Sequence, residues 1–473
     1  MVSVQDDAAP MTPAGPTSFT EGYRAPLAAA AAYAERWFEG LADRPIPPSL
    51  DIDQVKERLG RELPDLETDA TEVVDLLIEA AEPGVMAMQS PRFFGWVIGG
   101  TYPAALAADW VVSTWDQNAG MRLVTPGVSA AEEIAGSWLV DLLGFPAESL
   151  VGFSTGATTA NTAGLAAGRT AVLERIGWDV GRDGLQGAPR LRVFAGAERH
   201  ASVDLALRYL GLGVPELIPV DDEGRIQVDR LAAALADLDG PAIVCLQAGS
   251  IHAGSFDDFA RAIPLAHDAG AWVHIDGAFG LWAAASPRHR ALMEGAEQAD
   301  SWATDAHKTL NVPYDCGIAI VADGRAMVGA LGLHAEYLPG AGGGVDPHEI
   351  SLEMSRRARG VPVWAALRAL GREGVERLID GLGEQATALA DGLSALPGVR
   401  VINDVVYTQV CVTFDAPASP ASVAAALNAD GGVLAFPSRW RGQDVLRFSV
   451  SDWATDAQAV EATVTAVRRA LAS

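Results

Sequence analysis

Short apolar runs alternate with longer segments of helical periodicity between about residues 150 and 322. The runs have the length and β-branched content of buried strands, and the segments between them repeat apolar residues every three or four positions. This alternation predicts an α/β domain with a mainly parallel sheet and helices on both faces. The expected strands, in chain order, are SLVGFS, RLRVFAG, ELIPVDD, AIVCLQAG, AWVHIDG, SWATDAH and GIAIVAD.

Helical periodicity also flanks this region on both sides. It covers Ala25 to Leu41, Asp51 to Ala81, Ser351 to Leu370, Val375 to Leu396 and Thr455 to Leu471. Three more strand candidates, VRVIND, TQVCVTF and DVLRFSVS, lie near the carboxyl terminus. We therefore predict an N-terminal arm and helical segment (1–90), a large domain (91–370) and a small C-terminal α+β domain (371–473).

Charge and cysteine content exclude several classes of protein. The 473 residues include 34 Lys+Arg and 61 Asp+Glu, a formal charge of -27, which repels nucleic acid and anionic membrane surfaces. No apolar run has the length of a membrane span, and the N-terminal residues lack the pattern of a signal peptide. Three scattered cysteines predict no disulfide framework, and we expect a cytoplasmic protein without a metal site.

A loop of small residues follows the first predicted strand and begins a helix. Its sequence, from Ser154 to Asn161, is STGATTAN. Small residues let backbone N–H groups approach an anion, and the helix terminus supplies favourable partial charge, so a phosphate cradle is one interpretation. The other interpretation is a helix that packs closely on the sheet, and no Walker A sequence is present.

The same loop permits a different class of enzyme. Residues 152–156 read GFSTG and match the G-x-S-x-G nucleophile elbow, so an α/β serine hydrolase that uses Ser154 is an alternative. That class also requires an acid and a histidine downstream, and no HGGG-type segment precedes the loop.

Two later strands end in residues with distinctive chemistry. Asp276 ends the strand WVHID, where an ionised carboxylate needs a cationic partner or caps the next helix. A pyridinium N–H is one such partner. Lys308 follows the strand SWATD, and a lysine in a partly apolar pocket can lose its proton and form a Schiff base. Together with a phosphate-type loop, this pair predicts a pyridoxal 5'-phosphate enzyme.

These residues resemble the group II pyridoxal-phosphate-dependent amino-acid decarboxylases, which include the aromatic-L-amino-acid and glutamate decarboxylases. The resemblance covers roughly residues 50 to 470, and its specific part is HIDGA followed by DAHK. Other matching segments are SPRFFG (90–95), the Ser154 loop, RHAS (199–202), SRRARG (355–360) and LRFSVSDW (446–453). The resemblance implies the aspartate-aminotransferase fold (fold type I) and a homodimer with shared active sites.

The resemblance also implies roles for individual residues. Lys308 would carry the Schiff base, and Asp276 would hold the pyridine nitrogen protonated. His200 and Ala278 would pack on the two faces of the ring. Gly156, Ala157, Thr158 and His307 would surround the phosphate. Tyr337 occupies the place of the tyrosine that protonates the substrate carbon from a mobile loop, so decarboxylation of an L-amino acid to an amine and CO₂ is favoured.

Two departures from the family pattern leave other reactions open. Thr159 replaces a carboxylate, and Gly249-Ser-Ile-His252 replaces Gly-Thr-Thr before the Asp276 strand. The same cofactor also supports oxidative decarboxylation with deamination, β-elimination or transamination, including the tailoring of natural products, and an inactive paralogue is a further alternative.

Aromatic residues suggest the substrate. Phe93, Phe94 and Trp96 stand where relatives contact the substrate side chain, which favours an aromatic or bulky apolar substrate. The alternative is that these aromatics belong to the core. We expect Arg357 and Arg359 to be structural or interfacial.

Overall fold

The computed structural model describes residues 20–333 and 343–472. Backbone contacts divide the chain into two compact units, the first ending at Ala87 and the second beginning at Met88. Between Thr20 and Ala87, the first unit contains three α-helices. These are α1 (Glu21–Glu39), α2 (Ile52–Leu59) and α3 (Ala70–Ala81).

The second unit contains the strands and the remaining helices. Its helices are α4 (Pro103–Trp115), α5 (Pro126–Leu143), α6 (Ala157–Glu174), α7 (Val180–Asp183), α8 (Ala201–Tyr209), α9 (Val228–Ala236), α10 (Phe259–Asp268), α11 (Gly324–Leu331), α12 (Gly360–Ser394), α13 (Pro420–Asp430) and α14 (Ala457–Ala472). Its strands are β1 (Leu150–Ser154), β2 (Arg192–Gly196), β3 (Glu216–Ile218), β4 (Ala242–Gln247), β5 (Trp272–Asp276), β6 (Ser301–Asp305), β7 (Gly317–Val321), β8 (Val399–Val401), β9 (Gln409–Phe414), β10 (Phe436–Trp440) and β11 (Gln443–Ser449).

The first seven strands form one sheet in the order β1-β7-β6-β5-β4-β2-β3. Strands β3, β2, β4, β5 and β6 pair in parallel, while β7 runs antiparallel to both of its neighbours. Apolar residues cover both faces: one core includes α10, and the other includes α6 and α8. The predicted mainly parallel α/β domain and all seven of its strands are confirmed.

A smaller antiparallel sheet has the order β10-β11-β9-β8 and packs in its own core with α13, α14 and the second half of α12. The predicted small C-terminal α+β part is therefore confirmed, although β10 was not foreseen. The predicted boundary at residue 371 falls inside α12, where Gly371 has φ 62° and ψ 179°. Only glycine adopts this backbone readily. The domain limits themselves stay a prediction.

Two of the helix predictions are wrong in detail, and two helices were not predicted. The segment from Asp51 to Ala81 is two helices, because Gly60 has φ 86° and residues 60–69 leave the helical conformation. The helix expected from Ser351 begins only at Gly360. The chain between the first unit and β1 contains α4 and α5, which begin at Pro103 and Pro126 and were not foreseen.

The cysteines and the hydropathy of the helices can be compared with the predictions from the sequence. All three cysteines are free and buried. Among the described residues, no helix is both long enough and apolar enough to cross a membrane.

Candidate active site

The carboxyl ends of the central strands meet at a cavity of about 420 Å³. That volume lies in the range of small-molecule sites, ~300–1,000 Å³. The last residues of β4, β5 and β6, which are Gln247, Asp276 and Asp305, all line it. Parallel strands bring their carboxyl ends to one edge, where α/β proteins bind ligands.

Most of the predicted site residues lie in this cavity. Those lining it are Trp96, Gly156, Ala157, Thr158, His200, Asp276, Ala278, His307 and Lys308. Tyr337 lies outside the described residues. The chain therefore brings together residues that are up to about two hundred positions apart, and their individual roles stay predictions.

Phe94 is not part of the cavity, and the expectation that its side chain lies beside the substrate is corrected. It is 1% exposed and packs in the core of the small sheet, with its ring 5.7 Å from that of Phe448. Its backbone N–H donates to the carbonyl of Leu434, which fixes it beside that core. The core alternative was the correct one for this residue.

Lys308 forms an ion pair with the buried carboxylate that ends β6. Its Nζ lies 2.9 Å from Oδ2 of Asp305, whose side chain is 3% exposed. A hydrogen bond from the backbone N–H of Asp305 to the carbonyl of Ala278 holds this carboxylate in place. Lys308 is therefore held as a partly buried amine rather than as a solvated surface group.

His307 is oriented by two neighbours. Its Nδ1 accepts a hydrogen bond of 3.1 Å from the backbone N–H of Cys316, so Nε2 carries the proton of the neutral ring. Tyr314 stacks on the imidazole with 4.2 Å between ring centroids. Burial lowers the pKa of His307 and raises the pKa of Tyr314 to about 12. Both side chains are thus uncharged at neutral pH.

Asp276 and His200 share one neighbour, Ser202. His200 precedes α8, and its Nδ1 accepts the backbone N–H of Ser202 at 3.2 Å. The hydroxyl of Ser202 lies 2.8 Å from His200 Nδ1 and 3.4 Å from Asp276 Oδ2. Asp276 Oδ1 also accepts the N–H of Ala278 at 3.2 Å. Asp276 is 4% exposed and, in residues 20–333 and 343–472, has no cationic partner.

The residues present fit a pyridoxal phosphate. Helix α6 begins after Gly156 without a side-chain cap, so its first N–H groups are open to an anion. A Cβ added to Gly317 would lie 2.4 Å from the carbonyl carbon of Gly156, so glycine is required for the two backbones to approach. Asp276 has no cationic partner in the part of the chain that the structure describes, and a pyridinium N–H would supply one. Lys308 provides an amine.

The serine-hydrolase alternative is not supported. Ser154 is 4% exposed, and its hydroxyl donates to the carbonyl of Gly156 at 3.3 Å rather than to a histidine. It does not line the cavity. The resemblance to a nucleophile elbow reflects only the small residues that this turn requires.

The departures from the family pattern differ in their location. Ile251 lines the cavity, whereas His252 stacks on Trp440 and its Nε2 lies 3.0 Å from Ser438 Oγ. The hydroxyl of Thr159, in the first turn of α6, lies 2.9 Å from that of Thr155, which precedes the helix. Only the isoleucine changes the wall of the cavity.

Several other residues line the cavity that were not predicted from the sequence. These are Val97, Ile98, Ser202, Gln247, Gly249, Phe279, Asp305 and Tyr314, besides the departure at Ile251. Asp305 could have been found, since it is a strand-terminal carboxylate like Asp276. Gln247 could not, because its register opposite Asp276 depends on the pairing of β4 with β5.

The fold is that of a pyridoxal-phosphate enzyme of fold type I, and its cavity contains a carboxylate, Asp276, and an amine, Lys308, that fit this cofactor. The model of the pyridoxal-dependent decarboxylase conserved domain matches residues 53–415. The chain belongs to this family and is a pyridoxal-phosphate-dependent amino-acid decarboxylase.

Individual relatives agree with this assignment. The chain is 26% identical to an aromatic-L-amino-acid decarboxylase of Bacillus atrophaeus over 361 residues, 74% of this chain and 73% of that protein. It is also 26% identical to an acidic amino acid decarboxylase of Mus musculus over 372 residues, 76% of this chain and 67% of that protein. The crystal structure of Oryza sativa TDC with PLP and tryptamine superposes with a TM-score of 0.89 at 22% identity, covering 97% and 99% of the two chains.

Proposed function

We propose that this enzyme removes CO₂ from an aromatic or bulky apolar L-amino acid and releases the corresponding amine. The observation that carries the proposal is the apolar wall of the cavity. Trp96, Val97, Ile98, Ile251 and Phe279 all line it. An acidic side chain would need a cation, and Lys308 is the one Lys or Arg lining the cavity in the described part of the chain.

Trp96 is the best candidate for a contact to the substrate side chain. It is 47% exposed at the cavity, and its ring lies 4.3 Å from that of Phe436. Its φ of 50° is in the left-handed region, which is rare for a bulky residue and costs about 1–3 kcal/mol. A hydrogen bond from Ser449 to the Trp96 carbonyl supports this backbone. Such a cost at a cavity wall suggests that the position of the indole matters.

The chemistry divides between cofactor and protein. Pyridoxal phosphate supplies the electron sink for the bond that breaks. Lys308 would bind its aldehyde, and Asp276 would hold a proton on its ring nitrogen. His200 and Ala278 would orient the ring, and the first turn of α6 with His307 would hold the phosphate. The apolar wall excludes water, and Tyr337 would return the proton to the substrate carbon.

We also propose that the enzyme is a homodimer. Helix α4 exposes Trp110, Val111 and Trp115, and Leu123 and Val124 follow nearby in the chain. Their exposed fractions are between 41% and 65%, and clustered exposed aromatics are typical of a protein interface. Sedimentation should give twice the 49.4 kDa chain mass, and Trp110→Glu with Trp115→Glu should shift it toward the monomer.

The first experiment tests cofactor and reaction together. The holoenzyme should show a Schiff-base absorption band that borohydride removes, and Lys308→Ala should lack it. Lys56→Ala, at a solvent-exposed position in the first unit, is the control and should keep the band. The enzyme is then screened with aromatic, aliphatic, basic and acidic L-amino acids for CO₂ and amine.

Each outcome has a separate meaning. Amine and CO₂ from an aromatic or bulky apolar amino acid support the proposal. Amine from an acidic amino acid alone would refute the proposed substrate class and keep the decarboxylase. Aldehyde, ammonia or keto acid as the main product would refute simple decarboxylation.

A further inference from the structure

A row of buried polar side chains runs behind the site, on the face of β5 that packs against α6. Alternation along β5 brings Trp272, His274 and Asp276 to this face. Two helix glycines leave room for the row. A Cβ on Gly164 would lie 2.8 Å from His274 Nδ1, and one on Gly168 would lie 2.7 Å from Trp272 Cδ1. The packing of α6 on β5 therefore depends on these polar side chains.

Hydrogen bonds connect this row to the site without interruption. They run from Trp272 Nε1 to Ser301 Oγ (2.9 Å), from Ser301 Oγ to His274 Nδ1 (2.8 Å), from His274 Nε2 to Asn161 Oδ1 (2.9 Å), from Asn161 Nδ2 to Ser202 Oγ (3.2 Å) and from Ser202 Oγ to Asp276 Oδ2 (3.4 Å). All six side chains belong to residues that are at most 6% exposed. Four of them, Trp272, Ser301, His274 and Asn161, do not line the cavity and are shielded from solvent.

The direction of each bond follows from the chemistry of the groups. The indole N–H of Trp272 can only donate, so Ser301 Oγ accepts it. Asn161 gives its amide N–H to Ser202, which leaves its carbonyl to accept from His274 Nε2. Burial lowers the pKa of His274 to about 3, so the ring is neutral and its Nδ1 accepts the Ser301 hydroxyl proton. The first four bonds therefore all donate toward Ser202, and the fifth donates from Ser202 to Asp276.

Ser202 has a single hydroxyl proton and two acceptors for it. One is Asp276 Oδ2, and the other is His200 Nδ1, which also accepts the Ser202 backbone N–H. Because Asn161 already donates to the Ser202 oxygen, and His200 Nδ1 already accepts the Ser202 backbone N–H, the hydroxyl proton is left for Asp276 Oδ2 rather than for His200. Both of them line the cavity.

We propose that this row of aligned donors holds Asp276 as an anion, and so holds the proton on the ring nitrogen of the bound cofactor. A buried carboxylate without a cation is costly, and Asp276 makes no ion pair in the described parts of the chain. Aligned hydrogen bonds polarise one another, which strengthens the last one. The inference rests on the proposed role of Asp276 and makes Ser202, Asn161, His274 and Ser301 positioning residues.

The test measures the protonation of the cofactor directly. The holoenzyme is reconstituted with pyridoxal phosphate labelled with ¹⁵N at the ring, and the ¹⁵N chemical shift reports whether that nitrogen is protonated. Ser202→Ala should move the resonance toward neutral pyridine and weaken cofactor binding by about tenfold, the size expected for a hydrogen bond to a charged group. Ser301→Ala should move it in the same direction by less, although Ser301 does not line the cavity.

Two controls address folding and packing. Ser129→Ala removes a buried hydroxyl that has no hydrogen-bond partner among the described residues, and it should leave the resonance unchanged. Ser202→Thr keeps the hydroxyl and should restore the wild-type shift. The 1-deaza analogue of the cofactor lacks the ring nitrogen, so wild type and Ser202→Ala should bind it equally well. Weaker binding of this analogue to Ser202→Ala would indicate a merely structural role and overturn the inference.

Failure of the inference can be distinguished from failure of the proposed site. If Asp276→Asn leaves the ¹⁵N resonance at the wild-type position, the role of Asp276 itself is wrong. If Asp276→Asn moves the resonance while Ser202→Ala and Ser301→Ala do not, the role of Asp276 stands and the donor row is refuted.

Discussion

The buried ion pair between Arg356 and Glu132 should be essential for the stability of the second unit. The Arg356 side chain is 1% exposed and that of Glu132 is 6% exposed. The guanidinium donates to both carboxylate oxygens, at 2.6 and 3.0 Å, and to the carbonyls of Ala119 and Phe153, at 2.7 and 3.3 Å. Glu132 also accepts the N–H of Gly360 at the start of α12. The pair thus joins α5, β1 and α12.

Arg356→Met leaves the Glu132 carboxylate buried with one remaining donor in residues 20–333 and 343–472, the N–H of Gly360. Removing one partner of a buried pair costs about 3–5 kcal/mol of unfolding free energy. Glu132→Gln leaves the Arg356 guanidinium buried without an opposite charge and should cost a similar amount of unfolding free energy. The double variant removes both charges, and its glutamine can still accept from the N–H of Gly360. Its loss of unfolding free energy should therefore be smaller than the sum of the two single losses by about 2 kcal/mol or more.

Urea unfolding of the cofactor-free protein measures this coupling, because bound cofactor would add its own stabilisation. Lys56→Met, which removes an exposed cation, is the control and should change the stability by less than about 0.5 kcal/mol. Additive losses in the double variant would refute the reasoning, since they would mean that Arg356 and Glu132 do not stabilise each other. Loss of less than about 1 kcal/mol in Arg356→Met would refute the assigned burial.

Three further predictions concern one helix glycine and two titratable side chains. Gly164→Ala should destabilise the protein although alanine favours helices, because the added Cβ would contact His274. The control is Gly381→Ala, where the added Cβ would meet open space. Equal melting temperatures of the two variants would contradict the prediction. Burial raises the pKa of Asp452 to about 7, so folding favours the protonated carboxyl, and the protein loses stability as pH rises from about 4 to 7. Asp452→Asn should therefore raise the melting temperature more at pH 8 than at pH 4. The hydrogen bond to Asp300 raises the pKa of His267, so the bond stabilises the fold below the unfolded-state pKa and loses this effect as pH rises through the folded-state pKa. His267→Gln should therefore lower the melting temperature more at pH 5.5 than at pH 8.5. An equal effect at both pH values would refute this prediction.

Much of the architecture could be predicted from local pattern. The seven strands of the large sheet are short apolar runs that need burial on both faces, and this requirement is visible in the residues themselves. Asp276 and Lys308 could be found for the same reason, since a carboxylate or an amine at the end of a buried strand needs a chemical explanation.

Properties that depend on distant residues could not be predicted. Phe94 and Trp96 are two positions apart and both aromatic. Phe94 lies in the core and Trp96 lies at the cavity, because only Phe94 packs in the core of the small sheet. The register of β4 beside β5 brings Gln247 to the cavity. The break at Gly60 is also hidden in a segment whose apolar spacing continues past it.

The sequence by itself determined the chemical class of the protein, because the residues that react must be present whatever the packing. Only the tertiary structure decided how those residues are held. The hydrogen bonds from Trp272 to Asp276 join residues of α6, β5, β6 and α8, and their direction follows from contacts across more than a hundred positions. Local sequence carries no information about such contacts, since hydrogen-bond geometry depends on the relative position of whole elements.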